Sequence, residues 1–168
     1  MKIQKKKSVH TFLIMLPLLL LISYCKDDSG QKPIEQEVRI YMIAPEGSSL
    51  PGKMIGCNDI LVYEEKTVKA DRSILEAALT ELIAFKSTAK LQNYVKGPGL
   101  MLIQVTVAGG IADVYLKGDF DIFGTCDAPR IKEQIYETVN QFTEYKKINF
   151  FINDQTLEKY LSVAGAYF

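Results

Sequence analysis

Residues 74, 75, 78, 79, 82 and 83 are Ile, Leu, Ala, Leu, Leu and Ile, an apolar stripe that repeats with the period of a helix. A strand cannot present such a set on one side, because its side chains alternate between faces. Ser73 and Glu76 stand ahead of the stripe at capping-box spacing, with Asp71 as a second possible cap. A second stripe follows later, Ile131, Ile135, Val139 and Phe142, at spacings of four, four and three. Asp127 is placed to cap that helix, and Pro129 falls in its first turn, where a missing N–H costs little. Two helices with one apolar side each need a surface to cover, and β-rich runs supply it.

Those runs occupy 38–44, 59–68, 100–107, 111–116 and 148–152. The third and fourth flank Ala108-Gly109-Gly110 and read as a hairpin. On its first arm Ile103, Val105 and Val107 alternate strictly; on its return arm Ala112, Val114 and Leu116 do. Residues 86–99 read as a loop with a short helical turn near 91–94, and the last residues as a short helix or ordered tail. The order β-β-α-β-β-α-β predicts an α/β chain of the α+β type. The expected architecture is a two-layer sandwich, with both helices on one face of a mixed sheet of four to five strands.

The N-terminus follows a different rule. "MKIQKKKSVHTFLIMLPLLLLISYC" has a basic start, then an apolar run of about 11 residues, then small and polar residues. That is the layout of a secretory leader, and the run is shorter than the roughly 20 residues of a spanning helix. "LISYC" resembles a lipobox ending at Cys25, although Tyr24 stands where a small residue is usual. The expected division is a lipoprotein signal peptide over 1–24, a tether over 25–37 and one domain over 38–168. The domain is then extracytoplasmic, on the periplasmic side or the cell surface, held at the membrane by a palmitate-type lipid on Cys25.

Twenty basic and twenty acidic residues balance over the 168-residue chain, but Lys2, Lys5, Lys6 and Lys7 lie in the leader. Without them 16 basic residues face 20 acidic ones, a net charge of about −4. A mildly acidic domain lacks the basic footprint of a nucleic-acid binder. The only histidine, His10, also lies in the leader, which removes the commonest general base and metal ligand from the domain.

This bears on "GTCDAPRIKEQIYETVNQF", where Cys126 beside a helix start has the look of a nucleophile. An oxidising compartment favours disulfides. With Cys25 lipidated, Cys57 and Cys126 remain as an even pair. Their bond closes a loop of about 70 residues and contributes roughly 4 kcal/mol in the chain-entropy account. The expectation is therefore a structural bond rather than a catalytic thiol.

The order and motifs together resemble a GerMN domain, a module of spore-germination lipoproteins and other cell-envelope proteins. The resemblance covers 38–158. It rests on "DILVYEEKTV" followed by "SILEAALTELIAF", on "IADVYLKGDF", and on "EQIYETVNQFTEYKKINFFIND". In the last of these Gln134, Ile135, Thr138, Gln141 and Phe142 stand at the family spacing. Several envelope members also carry one cysteine before the first strand motif and one before the last helix, as Cys57 and Cys126 do. The resemblance implies a non-catalytic binding or assembly domain with no cofactor and no residue-level active site. Its partner would be an unidentified envelope protein or peptidoglycan.

Gln134, Thr138 and Gln141 share one edge of the last helix and are candidates for a polar partner-contact strip; hydrogen bonding to an adjacent sheet edge is the plainer reading. Asp119, Asp121 and Asp127 raise calcium, but without the ligand order of an EF-hand, and no metal is expected. The alternative function is a small hydrolase of envelope polymers acting through Asp119, Asp121 or Glu64, or through Glu64, Glu65 and Asp59 as paired carboxylates. Phe120, Phe123, Tyr63, Tyr94 and Tyr115 are candidates for a sugar-stacking surface, with packing as the simpler account.

Overall fold

The computed structural model describes residues 33–71 and 73–164. The proposed leader, Cys25 and most of the proposed tether lie outside them. Strand β1 (Ile34–Ala44) leads through short β2 (Lys53–Met54) and a 3-10 turn (Gly56–Asn58) to β3 (Ile60–Ala70). Helix α1 (Ile74–Ala84) follows, then β4 (Met101–Ala108), β5 (Ile111–Lys117), α2 (Asp127–Val139), β6 (Lys147–Ile152), β7 (Gln155–Thr156) and α3 (Leu157–Ala164).

The class is α+β, with the helices packed on the strands in two layers. The strands divide into two sheets: β1-β3-β2, all antiparallel, and a mixed sheet β4-β5-β6-β7 in which β5 and β6 run parallel. The parallel pair follows from α2, since a crossover helix returns the chain in the same direction. Helix α1 bridges the sheets by packing on β1, β3 and β4, while α2 packs on β1 and α1. One core joins the layers, with Ile40, Met42, Leu75, Leu82, Val114 and Ile131 all fully buried.

Local chemistry explains most boundaries. Ser73 caps α1, its hydroxyl accepting the Glu76 N–H at 3.3 Å. Gly109 and Gly110 both take positive φ (60° and 82°), as a two-residue turn matched to strand twist requires. Strand β1 begins at Ile34, inside the stretch read as tether. Residues 34–37 pair with 67–70 of β3, and Glu35 reaches Lys69 at 3.6 Å. The helical turn expected near 91–94 is absent. Gln92 instead makes a two-bond β-bridge to Ile43, with N···O distances of 3.0 and 2.7 Å.

Asp127 is not the cap of α2. It is the helix's first residue, and its Oδ2 reaches backward to accept the N–H groups of Phe123 (2.9 Å) and Gly124 (3.1 Å). The alternation expected on β4 also breaks. Register passes from Leu102↔Leu116 to Gln104↔Tyr115, so Ile103 is the extra residue of a bulge. Leu102 and Val105 then lean on the core, while Ile103 and Val107 are 50% and 54% exposed. A bulge inverts the facing of what precedes it, and a period count cannot detect that.

Candidate functional site

Cys57 and Cys126 form a disulfide, with Cα atoms 6.1 Å apart and a sequence separation of 69. Cys57 lies in the 3-10 turn, where it and Asn58 both adopt left-handed backbone (φ 62° and 57°). That conformation costs non-glycine residues on the order of 1–2 kcal/mol each and persists only where surroundings impose it. Here the surroundings are the disulfide and an adjoining ion cluster. Arg130 of α2 grips Asp59 through two bonds, Nε–Oδ2 at 2.6 Å and Nη2–Oδ1 at 3.0 Å. Its Nη1 reaches Asp127 Oδ1 at 3.1 Å, and its guanidinium lies 4.7 Å over the Tyr94 ring. The hydrogen bond to Asp59 raises the Arg130 pKa, so this nearly buried carboxylate always faces a charged partner. The start of α2 is thus tied to the β2–β3 connection covalently and electrostatically. Arg130 and Tyr94 carry no sequence signal for this, because their partners lie 71 and 36 positions away.

Further along α2 and just past its end, the three polar residues of the family spacing face the free edge of β1. Gln141 behaves like a peptide unit of a missing strand: its Oε1 accepts the Arg39 N–H at 2.9 Å and its Nε2 donates to the Arg39 carbonyl at 2.8 Å. Thr138 Oγ1 accepts the Tyr41 N–H at 3.1 Å, and Gln134 Nε2 donates to the Tyr41 carbonyl at 2.9 Å. The Gln92 bridge then serves Ile43. Residues 39, 41 and 43 are the alternate positions whose backbone groups point away from β3, so the edge is closed in sequence.

This corrects the partner-strip reading. Gln134 and Thr138 are 0% exposed and can touch no partner, and the half-buried Gln141 has its amide engaged by the strand. Gln134 also accepts the Tyr94 N–H at 2.8 Å and touches Asn93. Asn93, which sequence reasoning missed, donates to the carbonyls of Leu82 and Phe85 at the end of α1.

The remaining candidates are dispersed. Glu64 sits on β3 with Lys66 at 3.3 Å, and Glu65 pairs with Arg39 at 3.6 Å. Asp119 accepts from the Tyr160 hydroxyl at 3.1 Å in the loop after β5, on the other sheet's side of the chain. Asp59 is held by Arg130, and Asp127 by the backbone at the helix start. Among the described residues no three His, Cys, Asp or Glu side chains group as metal ligands. The aromatic candidates separate as well. Phe120 is buried edge-on to Tyr160, Tyr94 lies under Arg130, Tyr63 packs with Tyr41 and Arg39, and Tyr115 stacks on Phe151. On α2 itself, burial and a hydrogen bond to Glu158 push the Tyr136 phenol up, and the same bond holds Glu158 below the usual carboxylate range.

The geometry defines a small α+β domain in which one helix is stapled at its start and laid along a sheet edge through a Gln-Thr-Gln set. The chain belongs to the Germane family, described as sporulation and spore germination, whose match spans residues 39–158. This is the GerMN-like domain that the motifs resemble. Comparison with curated proteins and with solved structures returns no match.

Proposed function

We propose that the chain is a non-catalytic, lipid-anchored protein of the cell envelope whose Germane domain serves as a binding or assembly module. The anchor is an acyl group on Cys25, and the domain works on the extracytoplasmic side. The observation that carries the non-catalytic reading is the use made of Gln134, Thr138 and Gln141. The polar residues of the family spacing close the β1 edge internally, so the motif encodes cohesion of the domain rather than chemistry on a substrate. The disulfide supports the oxidising compartment, since such bonds persist outside the cytosol. It also bonds Cys57 and Cys126 to each other, so neither of them is left to pair with Cys25.

Metabolic labelling with an alkynyl palmitate analogue tests the anchor. Label on the full chain that is lost in Cys25→Ser is the expected result; an unlabelled chain of the mass of a cleaved, unacylated protein would remove the lipoprotein. Crosslinking in intact envelopes followed by mass spectrometry tests the binding role. Turnover of peptidoglycan by the purified chain, lost in Asp119→Asn or Glu64→Gln, would replace that role with a hydrolase.

A further inference from the structure

Sheet edges expose unpaired backbone groups, and folded proteins close, charge or shorten them to prevent stray pairing. On β1 the edge is closed by α2 and Gln92. Strand β3, uncovered beyond short β2, carries Glu64, Glu65, Lys66 and Lys69. Strand β4 lies at the end of its sheet and has neither device. Met101 to Ala108, "MLIQVTVA", holds no charge and no proline, and the uncharged stretch runs from residue 97 to residue 112. Among the described residues, no hydrogen bond reaches β4 from outside its ladder with β5. Met101, Ile103 and Val107 are about half exposed at 51%, 50% and 54%. The bulge at Ile103 twists the start of the strand, which leaves residues 104–108 as a regular pairing segment of ordinary length.

We propose that β4 is a docking edge for the β4 strand of a second copy of this chain, paired antiparallel about a two-fold axis. The occupant follows from charge. Every other described strand longer than two residues carries at least one charged side chain: Glu35, Glu37 and Arg39 on β1, four on β3, Asp113 and Lys117 on β5, and Lys147 on β6. Of the strands this protein supplies, β4 alone meets β4 without burying a charge, and a two-fold pairing sets no like charges opposite each other. The half-exposed side chains of Val107, within the pairing segment, and Ile103, beside its start, flank both halves of the seam. A seam of one strand pair lies at the small end of specific interfaces, so the dimer is weak and reversible. The proposal rests on the binding-module reading and names its partner.

Sedimentation of the purified full chain in density-matched detergent tests it. A monomer–dimer equilibrium is expected, with Ile103→Lys plus Val107→Lys weakening it by about tenfold or more through like charges across the seam. Unchanged circular dichroism and thermal midpoint in that variant are part of the expected result. Hydrogen exchange on the unaltered chain gives a readout that needs no variant: protection of β4 amides rises with protein concentration, while that of β1 and β3 does not. A chain that stays monomeric at the highest concentration, or a dimer indifferent to both lysines and without concentration-dependent β4 protection, overturns the proposal. A monomer that still captures a different envelope protein by crosslinking overturns self-pairing alone; a monomer that captures nothing overturns the binding-module reading too.

Discussion

The outer edges of β1 and β4 are the same kind of surface treated in opposite ways. Both are rows of backbone donors and acceptors at the end of a sheet. Along β1, two side chains of α2, Gln141 just past its end and one backbone bridge meet residues 39, 41 and 43 in turn. Along β4, among the described residues, no side chain hydrogen-bonds to the row, and half-exposed apolar residues flank it. A closed edge belongs to the interior; an open, uncharged one belongs to association. The difference traces to α2, whose start is bolted to the β2–β3 connection and whose polar positions fall on the strand.

The largest break in that contrast should come from releasing α2. Removing the disulfide frees a loop of 69 positions and is expected to lower stability by about 4 kcal/mol. Cys57→Ala, Cys126→Ala and the double variant should lose nearly the same amount in denaturant midpoints, because either cysteine alone makes no bond. Hydrogen exchange should rise in β1 and α2 with little change in β4. Clearly unequal single variants, or loss spread evenly over both edges, would refute the link between staple and edge.

Gln134→Leu should follow at about 3 kcal/mol, because it strands the Tyr94 N–H and the Tyr41 carbonyl beside a fully buried side chain. Thermal unfolding checks it, and a loss below 1 kcal/mol would mean water reaches that part of the edge. Gln141→Ala should cost less, about 1 kcal/mol or under, since Arg39 can turn to solvent for its backbone partners. The descending pair measures how far burial, rather than the hydrogen bond itself, holds the edge shut.

How much of this was legible beforehand depends on the range of the signal. The capping of α1 by Ser73, the two helix stripes, the Gly-Gly turn and the cysteine pairing are local or countable, and each is present in the fold. The polar spacing of Gln134, Thr138 and Gln141 was visible, but its meaning was not, because the strand that it serves lies about 100 positions away (102 for Gln141 and Arg39). Strand β1 begins earlier than its apolar run because residues 34–37 are held by β3 rather than by burial. The bulge at Ile103 and the division into two sheets arise from register between strands, which side-chain periodicity does not encode. The Arg130 cluster is long-range charge pairing and leaves no periodic trace either.

The smallest expected effect sits on the open edge. Val107→Lys, measured at a concentration where the chain is monomeric, should change folding stability by no more than about 0.5 kcal/mol. Val107 pairs with Ala112 across the ladder but is already 54% exposed, and its replacement removes no hydrogen bond and buries no charge. A strand edge that awaits a partner tolerates a lysine in isolation, and the penalty enters only when a second edge arrives. Chemical denaturation of the single variant beside the parent chain checks it. A loss above 1 kcal/mol would show that β4 already draws intramolecular support along its outer side, and the two edges would then differ in which residues close them rather than in whether they are closed.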